Sequence, residues 1–510
     1  MKKEIEVICF FLVILSLTTA QSPDQLYQGL FEDVQLQRIF PDSKTFCDVI
    51  PRQLKPEEIL QRYQQERNQT GFNLTIFVLN HFILPNTSTI VHEKWTIEQH
   101  CHRLWPLLTR TTKHENYSSF IDVPNSFVVP GGRFGEFYYW DTYFSMLGLT
   151  RSNENQLVEN MLNNFAFLIR TIGRIPNGNR YYYAGRSQPP FFSLMTELVG
   201  KSNQYKDALE KEYQFWMTYR NVTLDDGTVL NRYYDDIGKR PRPEAYLEDM
   251  ETEHQIQDPT VYVHLRAGAE SGWDFSSRWM KDEKNLSTII TANILPVDLN
   301  CLLYHLERTL GKQPEADRRQ KAIHQYMWSN SLQFFTDYNF VEKNQTNQLT
   351  LAGVYPLWLN VSTANQSQNV ARQVQSLFLR DGGVVTTISK QSKQQWDSPN
   401  GWAPLQYITY RALLQTPGYE SVARTIRDRW MRLNERVFQN TGKMMEKYDV
   451  VNINNSAGGG EYATQDGFGW TNGVYLEMLH DEQQSSNAVY LQSSLLQICF
   501  VLCLYFFIFQ

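Results

Sequence analysis

Apolar residues between about residues 50 and 480 recur at the period of helices. Leu157, Met161, Phe165, Leu168 and Ile172 follow one another at spacings of 4, 4, 3 and 4, which places them on one face of an amphipathic helix. Ser152 or Asn153 supplies an N-cap and Gly173 a stop. Pro296 can open a second helix over Val297–Leu310, ended by Gly311. The same reading predicts helices over Tyr205–Arg220, Glu315–Asn330, Pro404–Leu414 and Ser421–Gln439, the last stopping before Gly442. No β-hairpin sequence of alternating polarity competes with them, and no linker or low-complexity tract divides the body. The pattern predicts one large all-α domain of paired helices, wrapped by an N-terminal extension.

The two ends carry a different pattern. Lys2 and Lys3 precede an apolar run from Val7 to Leu17, and Thr18-Thr19-Ala20 supplies small residues for cleavage. Residues 1–20 are therefore expected to be a secretory signal peptide, with a mature domain over 21–485. Leu495–Phe509 is apolar over fifteen residues except for Gln497, and only Gln510 follows. At 1.5 Å per residue such a helix reaches ~22 Å, short of the ~30 Å hydrocarbon core. Ser485-Ser486-Asn487-Ala488, a spacer and that tail match a glycolipid (GPI) anchor signal over 486–510. A marginal transmembrane helix beginning near Ala488 is the alternative. The expected address is the secretory pathway and the extracellular face of the plasma membrane.

Composition narrows the chemistry. The 510 residues carry a net charge of −6 without the concentrated basic face of a nucleic-acid binder, so none is expected as a partner. Cys9, Cys499 and Cys503 fall in the terminal segments, leaving Cys47, Cys101 and Cys301 in the mature body. A Cys47–Cys101 disulfide is the expectation, with Cys301 a buried helical thiol, although spacing does not fix connectivity. No Cys/His cluster has zinc spacing, so neither metal nor cofactor is expected. Ten N-x-S/T sequons, at Asn68, Asn73, Asn86, Asn116, Asn221, Asn285, Asn344, Asn360, Asn365 and Asn454, read as a glycosylated surface behind a signal peptide. Nothing in the sequence states an oligomeric state.

Six loops at roughly one-hairpin spacing are rich in Gly, Trp, Arg and carboxylates: Pro130–Asp141, Ile175–Gln188, Arg240–Glu244, Glu270–Phe275, Gln395–Trp402, and Glu446–Tyr448 followed by Gly458–Tyr462. Taken singly, each is more often a turn or packing device. Together, a ring of hairpins brings them to one rim, where function concentrates. Carboxylates in aromatic, Gly-rich surroundings are partly desolvated and can stay protonated as acids. Arginines offer forked donors to vicinal hydroxyls. This set suggests glycoside hydrolysis by two carboxylates; a sugar-binding receptor without catalysis would lack one of them.

PGGRFGEFYYWDTYF (Pro130–Phe144) and QWDSPNGWAP (Gln395–Pro404) resemble the two signature motifs of the trehalases, glycoside hydrolase family thirty-seven. ESGWDFSSRW (Glu270–Trp279), IPNGNRYYYAGRSQPP (Ile175–Pro190) and GGGEYATQDGFGWTNGV (Gly458–Val474) are similar to it too, and the likeness runs from about 40 to 480. The secreted or membrane-anchored animal type is the nearest in kind. The resemblance implies an (α/α)₆ barrel that hydrolyses α,α-trehalose to two glucoses with inversion. It makes Asp274 the general acid and Glu446 the general base, the latter by its spacing to Glu461. It places substrate contacts at Arg133, Phe134, Trp140, Asp141, Asn177, Arg186, Ser187, Gln188, Arg242, Pro243, Glu244, Gly272 and Glu461. Ala457 departs from the family's longer glycine run. The competing expectation is another (α/α)₆ glycosidase acting on glycans or sucrose.

Overall fold

The computed structural model describes residues 22–85 and 95–484. The proposed signal peptide, the C-terminal apolar tail and the Asn86 sequon lie outside the described residues.

Among the described residues the helices form two concentric layers, the (α/α)₆ barrel. Burial separates them. Tyr139–Arg151, Phe192–Leu198, Val297–Leu310, Tyr355–Trp358, Ala403–Leu414 and the helix over 469–484 are buried nearly all round. These line the inner layer, as expected of helices that are apolar on every face. Ile97–Leu108, Asn155–Ile172, Lys206–Tyr219, Gln313–Tyr326, Ala364–Gln373 and Glu420–Thr441 bury one stripe each and form the outer layer. Each inner helix packs on the next, from Phe192–Leu198 through Val297–Leu310 and Tyr355–Trp358 to Ala403–Leu414. The ring closes where the 469–484 helix meets Tyr139–Arg151. There a Cβ on Gly473 would lie 2.0 Å from the Phe144 carbonyl oxygen, and one on Gly148 would lie 2.6 Å from Gly473 Cα. Two glycines let two backbones touch, and no larger side chain fits between them.

The chain's stop signals act as the periodicity predicts. Asn155–Ile172, Val297–Leu310 and Glu420–Thr441 each end on a left-handed glycine, at Gly173, Gly311 and Gly442. The first of these begins later than expected, with Glu154 at the N-cap and Asn153 in a left-handed turn. Short antiparallel pairs decorate the barrel, among them Asn221–Thr223 with Val229–Asn231. Three residues per strand are too few for alternation to stand out in the sequence, which is why no hairpin was expected.

The N-terminal extension builds a smaller core of its own. Tyr27, Leu30, Phe31, Phe46, Phe77 and Phe82 pack there with Tyr138, Tyr182 and Tyr183 of the barrel loops. The expected Cys47–Cys101 disulfide is absent: Cys47, Cys101 and Cys301 are all free and buried. Cys47 belongs to the extension's core and Cys101 to the barrel's. The Cys47 thiol donates to the Ser43 carbonyl, and the Cys101 thiol to Asn472 Oδ1.

Candidate active site

The loop after the Val261–Glu270 helix carries Asp274. Gly272 turns it with φ +73°, and a Cβ there would come 2.9 Å from the Trp140 ring, so a glycine is required twice over. The Gln395–Trp402 segment braces this loop from behind. Gln395 Nε2 donates to the Asp274 carbonyl at 2.6 Å, and Trp396 N to the Phe275 carbonyl at 3.1 Å. Asp397, fully buried, accepts from Ser276 Oγ at 2.8 Å, Ser277 N at 2.7 Å, Ser277 Oγ at 3.0 Å and Thr387 Oγ1 at 2.9 Å. Trp273, Trp396 and Trp402 stack in a column, with centroids 5.6 Å and 3.8 Å apart and planes within 9° and 4°. The second signature is therefore a scaffold for the loop bearing Asp274.

The same segment also positions Glu446. Asn400–Trp402 pairs antiparallel with Lys447–Asp449, which draws Glu446 alongside. Glu446 is held at both ends of its backbone, by its N–H to the Gln465 carbonyl at 2.9 Å and by Trp470 Nε1 to its carbonyl at 2.9 Å. Its carboxylate accepts from the Tyr462 hydroxyl at 2.8 Å and, more weakly, from Gln465 N at 3.4 Å.

Arginines and further carboxylates complete the walls. Arg186 pairs with Glu244, and Arg242 with Asp249 at 2.7 Å and Glu461 at 2.8 Å. The Arg133 guanidinium lies over the Tyr462 ring at 5.0 Å. Gln188 Oε1 accepts from the N–H groups of Tyr139 and Trp140, both at 3.1 Å, capping the helix that presents Trp140 and Asp141. Asn177 Nδ2 donates to the Ala269 carbonyl at 3.1 Å, tying its loop to the Asp274 side.

These side chains line one chamber with about 820 Å³ of atom-free space, the open solvent at its mouth included. Asp274 and Glu446 both face it, with Arg133, Phe134, Trp140, Asp141, Asn177, Arg186, Gln188, Arg242, Glu244, Gly272 and Glu461. Ser187 and Pro243 are buried but do not line it. The Ser187 hydroxyl donates to the Ile175 carbonyl, and Pro243 opens the turn that presents Glu244. The chamber also holds Lys44 from the N-terminal extension, outside every motif, and six aromatics that lie within the quoted motifs but are assigned no role there: Tyr138, Tyr183, Trp396, Trp402, Tyr462 and Trp470. Their membership of those motifs was the signal that could have found the aromatics, and Lys44 had none.

Burial sets the charge states. It raises Asp274 to about 6, against the pull of Arg242 and Arg186, and Glu461 to about 7 against Arg242. Asp141 rises to about 8 through burial, assisted by Glu446 and Asp274. Glu446 is raised by burial and held back by Lys447 and the Tyr462 hydroxyl. For Glu244, burial is outweighed by Arg186 and Arg242, so it lies below the usual carboxyl range. Several polar atoms in the walls have no hydrogen-bond partner: Arg133 Nε, Arg186 Nε and Nη1, and Glu244 Oε2. A buried polar atom without a partner costs ~1–3 kcal/mol, and Arg186 Nη1 lies 3.6 Å from the Asp235 carboxylate. Among the described residues, no cluster of three or more His, Cys, Asp or Glu is arranged to hold a metal ion.

Residues 38–482 match the family model described as Trehalase. The chain belongs to the trehalase family. Its relatives include the periplasmic trehalases of Salmonella agona (strain SL483) and Salmonella newport (strain SL254). Each is 44% identical over 502 residues, spanning 90% of this chain and 87% of the relative. Among solved structures, the neutral trehalase Nth1 from Saccharomyces cerevisiae superimposes with a TM-score of 0.58 at 26% identity, over 70% of this chain and 73% of that one. The trehalase family consists of glycoside hydrolases, and this member has the (α/α)₆ barrel that the resemblance implies.

Proposed function

We propose that this protein hydrolyses α,α-trehalose to two glucose molecules with inversion at one anomeric carbon. The observation that carries the reading is the shared chamber: Asp274 and Glu446 line one space together with the arginines Arg133, Arg186 and Arg242. Asp274, raised to about 6 by burial, donates a proton to the bridging oxygen as one glucose leaves. Glu446, ionised, removes a proton from the water that attacks the anomeric carbon from the opposite face. The water's oxygen joins that carbon, the glycosidic bond breaks, and the two carboxyl groups end with their protons exchanged through solvent. Inverting enzymes need their carboxyls ~6.5–9.5 Å apart to admit the water.

Arg186 holds ionised Glu244 and Arg242 holds Glu461 in place, and these walls present polar groups to the sugar hydroxyls. Because such a site leaves polar groups unpaired when a hydroxyl is missing, it discriminates strongly against analogues. Proton NMR of trehalose digestion tests the proposal: one α-glucose and one β-glucose should form at equal initial rates. Two α-anomers, or cleavage of maltose or sucrose in preference, would refute it. Asp274→Asn and Glu446→Gln should each lower kcat by at least ~10³-fold at unchanged melting temperature.

The nine sequon asparagines within the described residues are all solvent-exposed, which supports export and N-glycosylation of the mature 21–485 domain. We extend the proposal to a signal peptide over 1–20 and a lipid-anchor signal over 486–510. Release of activity from membranes by a phosphoinositide-specific phospholipase checks the anchor.

A further inference from the structure

Lys447 follows Glu446 directly, yet its side chain is as buried as its neighbour's, at 1% exposure. A buried ammonium normally pairs with a carboxylate. This one does not: its Nζ donates to Gln395 Oε1 at 2.7 Å and to the Gly459 carbonyl at 3.2 Å. It sits over the faces of Trp402 and Tyr462, 5.3 Å and 5.5 Å from their centroids. Each contact leads to a different part of the chamber. Gln395 passes the link on through Nε2 to the Asp274 carbonyl at 2.6 Å. Gly459 belongs to the glycine segment that delivers Glu461, and Lys447 itself is joined to Glu446 by a peptide bond.

The glycine segment is seated on the same residues. A Cβ on Gly460 would lie 2.7 Å from Gln395 Oε1, and one on Gly459 2.8 Å from the Lys393 carbonyl. Asn400 Nδ2 donates to the Gly458 carbonyl at 2.7 Å and to the Gln395 carbonyl at 3.0 Å. Gly459 and Gly460 thus lie against the Lys393–Gln395 strip, Gly458 is tied to Asn400 through its carbonyl, and the ammonium fastens the segment there.

We propose that Lys447 is a positioning residue that clamps the Gly458–Glu461 segment shut against the Asp274 loop, so that the acid, the base and Glu461 reach their working geometry together. One donor group joins all three, and a neutral side chain of similar length cannot. The groups facing Glu446 from the surrounding segments are Lys447, Arg133, Tyr462, Asp141 and Asp274. Removing Lys447 therefore also takes away the cation nearest the base.

This inference rests on the roles assigned above to Asp274 and Glu446. The test uses the full chain with Lys447→Met, Lys447→Arg and Gln395→Leu, with Asp274→Asn alongside. Lys447→Met should lower kcat for trehalose by about 100-fold, with a smaller change in KM, and should move the acidic limb of the kcat/KM profile to higher pH. Lys447→Arg, keeping charge and donors, should recover at least about tenfold of that loss. A glutamate-specific protease should cut after Glu461 in the Met variant well before it cuts the wild type, at equal melting temperature. That readout needs no substrate, so it stands even if Asp274→Asn proves active and overturns the assignment of the acid.

The inference is overturned if Lys447→Met keeps kcat and KM within twofold, or loses only melting temperature while Glu461 stays protected. Should Lys447→Met not fold, Gln395→Leu breaks the same bridge from its other end. It must then show the kcat loss and the cleavage after Glu461, and normal values for both refute the clamp.

Discussion

Tyr462→Phe isolates one hydroxyl in the chamber. The ring stays, so its stacking under Arg133 at 5.0 Å and its edge contact with Phe134 at 5.3 Å are retained. What goes is the 2.8 Å bond to Glu446 Oε1, leaving the carboxylate with Gln465 N at 3.4 Å as its remaining hydrogen bond among the described residues. A hydrogen bond to a charged group is worth ~1.5–3 kcal/mol. At about 1.36 kcal/mol per pKa unit, its loss would raise the Glu446 pKa by ~1–2 units. A water entering the vacated space returns part of that, so we expect a rise of about one unit. The sign follows from the role: the base works ionised, and a raised pKa shortens the pH range over which it is ionised. The acidic limb of kcat/KM, which reports the free enzyme, should therefore move about one pH unit upward, with the alkaline limb in place. Glucose release measured from pH 3.5 to 8 in steps of half a unit resolves it. A uniform fall in activity with both limbs unmoved would refute the coupling between Tyr462 and the base.

Three further outcomes are expected. Because burial raises Asp274 to about 6 and the acid must be protonated, kcat/KM should fall about tenfold per pH unit above that value; a plateau to pH 8 would reassign the acid. Gly473→Ala forces a Cβ to within 2.0 Å of the Phe144 carbonyl, a backbone atom that cannot swing aside. It should cost about 3 kcal/mol by overpacking, read as a lowered urea midpoint with unchanged slope. An unchanged midpoint would mean the ring does not close at that seam. Finally, Cys47, Cys101 and Cys301 are free and buried, with thiols raised by burial. Iodoacetamide should alkylate them only after unfolding, without added reductant, and a Cys47–Cys101 linked peptide in a digest would contradict this.

What the sequence makes legible is set by range. Helix periodicity and glycine stops are local, so Val297–Leu310 emerges with both of its ends, and Glu420–Thr441 is misjudged by a residue or two. The motifs' resemblance to the trehalases supplied the fifteen expected site residues, and thirteen of them face the chamber. The other two, Ser187 and Pro243, neighbour wall residues but turn inward to hold their own loops, an orientation that composition cannot reveal. The larger omissions are all long-range. Three paired residues, Asn400–Trp402 against Lys447–Asp449, bring the strand beside Glu446 to the strip that braces the Asp274 loop. Neither segment reads as a strand, because a pair this short has no periodicity. Lys44 reaches Glu136 at 2.9 Å across ninety-two positions of chain, and Asp397 gathers donors more than a hundred positions away. The disulfide expectation failed for the same reason: cysteine count says nothing about which of two separate cores each thiol enters. Asp397 makes the point most sharply: it sits in the carboxylate- and Trp-rich Gln395–Trp402 loop, yet nothing local says which way it faces. The structure turns it away from the chamber, to accept four hydrogen bonds beneath the Asp274 loop. A signature motif can thus be kept for the geometry it imposes on a neighbour, and a carboxylate within it need never meet the substrate.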